Sequence, residues 1–198
     1  MTSTITTRQA GSAAEYQPQV RRFTAKEYHR MMDAGVLRPD ERTELLDGQI
    51  IKMAPVGDPH VILVNLLTRL LVVALGLRAI VSVQNPIRLS PRSEPQPDVV
   101  LLRAEPGDPD AGRPLLKHVL LLIEVSDTTF RYDRYTKLPR YAERGVPEVW
   151  IFDLKAKQLH VFRVPEGESY RDEQVLTEGS VSPLAFPNVT LDVAELLR

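Results

Sequence analysis

Apolar positions along this chain follow two periods, and the switches between them mark its elements. The first twenty residues follow neither period. MTSTITTRQAGSAAEYQPQV is small and polar, and it reads as a disordered leader before a domain spanning residues 21–198. Thr24 followed by Glu27 has the spacing of a capping box, in which hydroxyl and carboxylate each satisfy an orphan N–H. A short helix should follow through Tyr28 and Met31–Met32 and end near Gly35. Asp47-Gly48, between the β-compatible runs Arg42–Leu46 and Gln49–Met53, predicts a hairpin, because a tight turn wants positive φ there. From about Pro59 to Gly76 the period becomes helical, with Val61, Val64, Leu67, Leu71 and Leu75 on one face.

The second half alternates. Ala79–Leu89 reads as a strand, Ser90–Pro97 as a loop and Asp98–Leu102 as a short apolar strand. Glu105–Arg113 is rich in turn residues. His118–Val125 is almost unbroken in its apolarity, as a strand covered on both faces should be. Tyr132–Arg144 is helical in pattern and stops at Gly145, a natural C-cap. Glu148–Asp153 and Gln158–Val164 read as strands, and LDVAELLR as a short closing helix. Strands and helices in this order predict a single α/β domain.

Composition narrows the class. With 198 residues, 43% of them hydrophobic and 26% charged, the chain can bury a core unaided. It has no cysteine, which excludes thiolate metal sites and cysteine nucleophiles and suits a reducing cytoplasm, the expected location. The formal net charge of -1 offers no global attraction to nucleic acid, so any such function must rest on a local site. The longest apolar-rich stretch, Val61–Leu77, is interrupted by Asn65, Thr68, Arg69 and Gly76, and reads as a core helix and not a membrane span.

Two strands end in acids. LLLIEVSD places Glu124 and Asp127 at the end of the most hydrophobic run, and PQPDVVLL starts a strand with Asp98. Either acid alone reads equally well as a turn or capping residue. Both together suit one hard cation, Mg²⁺ or Mn²⁺, which takes one or two carboxylates plus water and phosphate oxygens. Next comes RYDRYTKLPRYAERGVPEVWIFD, where Lys137 lies among Arg131, Arg134, Arg140 and Arg144. Helical spacing allows Arg134, Lys137 and Arg140 one face, which would suit phosphate or simply be solvated. Pro139 constrains that helix, which must start near Tyr135 or bend beside Lys137. His60 can touch the site, or merely open its helix. Gln96 can reach a bound water. Tyr141 and Trp150 read as packing.

The series ERTELLDGQI, PQPDVVLL, LLIEVSD and RYDRYTKLPRYAERGVPEVWIFD resembles the successive motifs of the Uma2 family, from Phe23 to the C-terminus. That family belongs to the PD-(D/E)XK nuclease superfamily, the restriction-endonuclease-like proteins. The resemblance implies a mixed central sheet flanked by helices, with the site at one sheet edge. Pro97-Asp98 matches the PD element and Glu124 the second acid. Ser126 stands where the superfamily lysine normally lies, and Lys137 is the matching position of a lysine moved to the next helix. Glu44 matches an added acid.

The implied activity is magnesium-dependent hydrolysis of phosphodiesters, with DNA the expected substrate and 5′-phosphate and 3′-hydroxyl ends. Asp98, Glu124 and the Val125 carbonyl would hold Mg²⁺, with Glu44 completing the shell. Lys137 would orient water or neutralise phosphate charge. Arg134 and Arg140 would hold flanking phosphates, while His60 and Gln96 would touch substrate or water. Cutting both strands would call for a homodimer. A non-catalytic nucleic-acid- or protein-binding member is the main alternative, and a hydrolase of smaller phosphate esters a third. No DNA-reading module is visible, so specificity would fall to the Ser90–Pro97 and Glu105–Arg113 loops.

Overall fold

A computed structural model describes residues 19–38, 40–104 and 115–198. The expected leader, apart from residues 19–20, and the Glu105–Arg113 loop lie outside the described residues.

Helix α1, Ala25–Asp33, starts at the expected capping box. Thr24 accepts from the Glu27 N–H, and Glu27 reaches back to the Thr24 N–H. Strands β1 (Thr43–Leu46) and β2 (Gln49–Lys52) form the expected hairpin, with Asp47 at φ 49° and Gly48 at φ 74°. A Cβ on Gly48 would fall 2.6 Å from Arg22 Cβ, so the incoming chain also needs a glycine there.

Helix α2 runs Asp58–Leu75. It buries His60, Leu63, Val64, Leu67, Leu71 and Leu75, whereas Val61, expected inside, is 43% exposed. By length and composition alone, Asp58–Arg78 could cross a membrane. In this fold one face packs on the central sheet.

That sheet has six strands: β3 (Ala79–Val83), β4 (Val99–Arg103), β5 (Val119–Ser126), β6 (Glu148–Asp153), β7 (Gln158–Glu166) and β8 (Ser169–Leu176), adjacent in that order. Only β5 and β6 pair in parallel. A parallel pair needs a crossover. Here it is helical: α3 (Phe130–Tyr132), a π-turn (Asp133–Lys137) and α4 (Leu138–Glu143).

One sheet face packs against α2 and the C-terminal segment. That segment contains β9 (Ser180–Val181), β10 (Leu191–Asp192) and α5 (Val193–Leu196). The other face packs against α4 and the Ile87–Leu89 segment.

One expected strand is shorter, and one strand was not expected. The strand expected over Ala79–Leu89 stops at Val83, because Gln84 turns to φ 50° and Pro86 lacks an N–H. And β8, with its polar sequence SYRDEQVL, carries no apolar alternation to announce it; the ladder to β7 forms it.

Candidate active site

Sheet register brings the two strand-end acids together. Val99 pairs with Ile123, so Asp98 and Glu124 lie opposite each other just beyond the last paired residues of β4 and β5. Both are buried. Asp98 Oδ2 accepts from the Val125 N–H at 2.8 Å. Its Oδ1 meets His60 Nε2 at 2.8 Å and Gln84 Nε2 at 3.3 Å. Burial works against the charge on Asp98, but the His60 contact, the Val125 N–H and the Lys137 cation outweigh it and hold the carboxyl below the ordinary range.

Lys137 comes from the crossover. The Leu138 N–H reaches back five residues to the Asp133 carbonyl, widening the helix into a π-turn just before Pro139. Pro139 therefore sits in the first turn of α4, where its missing N–H costs little. The Lys137 side chain is only 3% exposed. Its Nζ lies 2.7 Å from Glu124 Oε1, 3.5 Å from Glu44 Oε2 and 3.8 Å from Asp133 Oδ1. Burial alone would lower its pKa, but Glu124, Tyr141, Glu44 and Asp133 together raise it well above the ordinary lysine value. Lys137 keeps its proton.

The acids around it are reluctant ions. Burial lifts Glu124 well above the ordinary carboxylate range, and Asp133 and Asp98 add to the lift against Lys137. Burial likewise raises Asp133. Ser126 Oγ and Thr129 Oγ1 donate to Asp133 Oδ2 at 2.7 and 2.6 Å. So Ser126 supports the helical segment that carries Lys137.

Two tyrosines to which the sequence reading gave no chemical role complete the network. Tyr141 OH donates to Glu124 Oε1 at 2.6 Å, and Tyr132 OH donates to Glu44 Oε1 at 2.9 Å. Burial raises both phenols, Tyr141 strongly, so both remain donors. Tyr141 was read as packing; it is buried and also bonds an acid of the site. No sequence signal marks either tyrosine beyond its place in the helix that follows β5.

Glu44, like Asp98, is held through both of its oxygens. Oε1 is taken by Tyr132, and Oε2 by the Gln96 N–H at 3.0 Å and by Lys137. Gln96 gives its side-chain amide to the Gln84 carbonyl at 2.5 Å. Arg134 and Arg140 do not line the cleft. Arg134 pairs with Glu173 at 2.8 Å and lies over the Phe162 ring, and Arg140 pairs with Asp47 at 2.8 Å. The π-turn between them separates what an ideal helix would align. Arg42 and Lys52, at the ends of the hairpin strands, are the basic side chains that join Lys137 in lining the cleft of about 250 Å³. Sequence reading had not singled them out.

A hard cation fits this donor set. Among the described residues no three His, Asp or Glu side chains form a ready ligand cluster. Mg²⁺ does not need one, since two carboxylates, a carbonyl and waters suffice. Both Glu124 contacts fall on Oε1, leaving Oε2 unengaged among the described residues. The third donor follows from strand alternation. Ser126 O accepts from Leu154 on the β6 side, so Val125 turns its N–H and carbonyl toward Asp98. Extending the register puts Pro97 opposite Val125, and proline has no N–H to give that carbonyl.

A mixed sheet flanked by helices, with acid, acid and lysine gathered where β4 begins and β5 ends, defines a restriction-endonuclease-like protein. The chain belongs to the Uma2 family: that family's model, described as "Putative restriction endonuclease", matches residues 25–194. A solved structure from Anabaena variabilis ATCC 29413, described as a putative nuclease belonging to DUF820, shares the fold at TM-score 0.71. It is 14% identical, and the match covers 88% of this chain and 97% of that one. No curated protein matches.

Proposed function

We propose that this protein is a Mg²⁺-dependent endonuclease that hydrolyses phosphodiester bonds in DNA. The observation that carries this reading is the buried Lys137 held 2.7 Å from Glu124, at the strand ends where Asp98 also lies. Asp98, Glu124 and the Val125 carbonyl would hold the metal, and Mn²⁺ would serve in its place. When bound, the ion supplies Lewis acidity and a more acidic water.

The chain's own residues do the rest. His60 and the Val125 N–H fix both Asp98 oxygens, so the carboxylate is presented in one orientation. Glu44, itself held by Tyr132 and the Gln96 N–H, acts as a holder of Lys137 rather than as a free ligand. Lys137 places a compact cation beside the strand-end acids, where negative charge grows as the phosphate is attacked. Arg42 and Lys52 take the flanking phosphates, the task the sequence had assigned to Arg134 and Arg140.

Purified protein incubated with plasmid DNA and Mg²⁺ tests the reading, with Asp98→Asn as control. Metal-dependent nicking lost in Asp98→Asn supports it. One observation favours the accessory-domain alternative: Lys137 is enclosed by three acids and almost inaccessible. Tight DNA binding without turnover, across DNA and RNA substrates, would select that alternative.

A further inference from the structure

We propose that a second copy of this chain pairs with the free edge of β3, joining two six-stranded sheets into one and packing α2 beside its symmetry mate. Two independent features of the described residues lead there.

The first is the contrast between the sheet's two edges. An exposed edge presents unpaired N–H and C=O groups, and proteins commonly guard it with charge. Strand β8 does so with Arg171, Asp172 and Glu173. Strand β3 is Ala-Ile-Val-Ser-Val, with neither charge nor proline. Its register to β4 is fixed, and the Gln84 N–H bonds the Asp98 carbonyl. By alternation, Ile80 and Ser82 face β4, while Ala79, Val81 and Val83 turn their N–H and C=O outward. That outward row is self-complementary. Antiparallel pairing about a twofold axis at Val81 sets Val81 against Val81 and Ala79 against Val83, with every outward group bonded.

The second is the flank of α2. This helix packs over β3, β4 and β5 and also touches α5. Leu63, Leu66 and Leu70, on one flank of α2, pack into the same core that holds Val193 and Leu196 of α5. At 100° per residue, Val61 and Val72 lie on the opposite flank, and Ile62 and Val73 continue it outward. They are 43%, 49%, 66% and 79% exposed. The C-terminal segment that carries α5 is bonded to β7 and β6, Arg163 donating to the Ser182 carbonyl and the Leu184 N–H to Glu148, which sets this bare apolar flank on the β3 side. One partner therefore covers strand edge and helix flank together. A like copy brings a matching edge at the right height and its own apolar flank to meet this one.

Sedimentation equilibrium on the full chain tests this, alongside Ile62→Glu/Val72→Glu and, separately, Val81→Pro. The helix variant changes exposed positions, so the monomer should fold. Val81→Pro removes an outward N–H, a change an edge strand tolerates, and trims a side chain packed against the core. The wild type should be a dimer, and both variants should raise its dissociation constant roughly a hundredfold or more. Amide exchange at Val81 and Val83 should be slow in the dimer and fast in the helix variant. Should Val81→Pro fail to fold, the helix variant and the exchange pattern decide. A monomeric wild type overturns the proposal, as does a folded variant that dimerises as tightly as wild type. So does a monomer that floats with phosphatidylcholine vesicles, which would assign the flank to a bilayer.

Discussion

Lys137 Nζ lies 2.7 Å from Glu124 Oε1, although the two arrive from a π-turn and from the end of a central strand. This pair links fold to chemistry. The parallel β5–β6 pair requires a crossover, and the crossover starts at the strand end where Glu124 stands. Its π-turn carries Lys137 back over that end. Ser126, two residues further along the strand, steadies Asp133 and through it the π-turn.

Metal affinity should depend on Asp98. Its two oxygens are fixed by His60 and the Val125 N–H, so the carboxylate is presented without further ordering. Titration calorimetry with Mn²⁺ should show Asp98→Asn binding at least about tenfold more weakly, the lower end of losing an oxygen ligand's support. Equal affinities would remove Asp98 from the site.

Glu124 should cost the metal-free protein stability at neutral pH. Burial raises its carboxyl above the unfolded value, so folding favours the protonated form. That contribution is whole below the ordinary carboxylate range and is lost as pH rises through the raised folded value. Glu124→Gln imitates the protonated acid and leaves Lys137 with Glu44 and Asp133. Urea unfolding should find it as stable as wild type or more so at neutral pH, with the gap closing in acid. A large loss at neutral pH would mean that the Lys137–Glu124 pair holds the fold together.

Much of this was legible in the chain and some was not, for physical reasons. The capping box and the Asp47-Gly48 turn are local signals, and the structure keeps both. Acids ending apolar strands were legible because burying a carboxylate demands a partner. The partners themselves were not. Tyr132 and Tyr141 look like ordinary helix aromatics until register sets their hydroxyls on Glu44 and Glu124. Arg134 and Arg140 share a face on an ideal helix, but a π-turn and the acids Glu173 and Asp47 draw them away. Pairs of that kind are decided by residues far along the chain, which helical spacing cannot see.

The groove beside Lys137 should owe its phosphate affinity to Arg42 and Lys52. Both line the cleft, whereas Arg134 and Arg140 are held by Glu173 and Asp47 outside it. Fluorescence anisotropy on labelled duplex DNA across a salt series should show Arg42→Ala and Lys52→Ala each weakening binding. Each should lower the slope of log affinity against log salt by about 1. Arg134→Ala and Arg140→Ala should leave the slope nearly unchanged. The reverse pattern would place the DNA on the other side of the crossover.

Lys137 is the decisive residue, and its burial dictates how it must be tested. Alanine would leave Glu124, Glu44 and Asp133 facing one another without a cation and open a hole among them. Breaking a buried pair from one side costs on the order of 3–5 kcal/mol, enough to confuse lost activity with lost fold. Lys137→Met keeps the stem and removes only the charge. The acids can then take up protons, so the variant should be destabilised most at high pH and least in acid. If Lys137 stabilises charge in the transition state, Lys137→Met should cleave plasmid DNA roughly a hundredfold more slowly or worse under conditions where calorimetry and circular dichroism show it folded. Mn²⁺ affinity should not fall, because lysine is not a ligand and its competition for Glu124 is gone. Lys137→Arg should fail as well, since a planar fork does not fit a place shaped for a compact ammonium among three acids. Cleavage at the wild-type rate by folded Lys137→Met would leave this lysine a purely structural partner of Glu124.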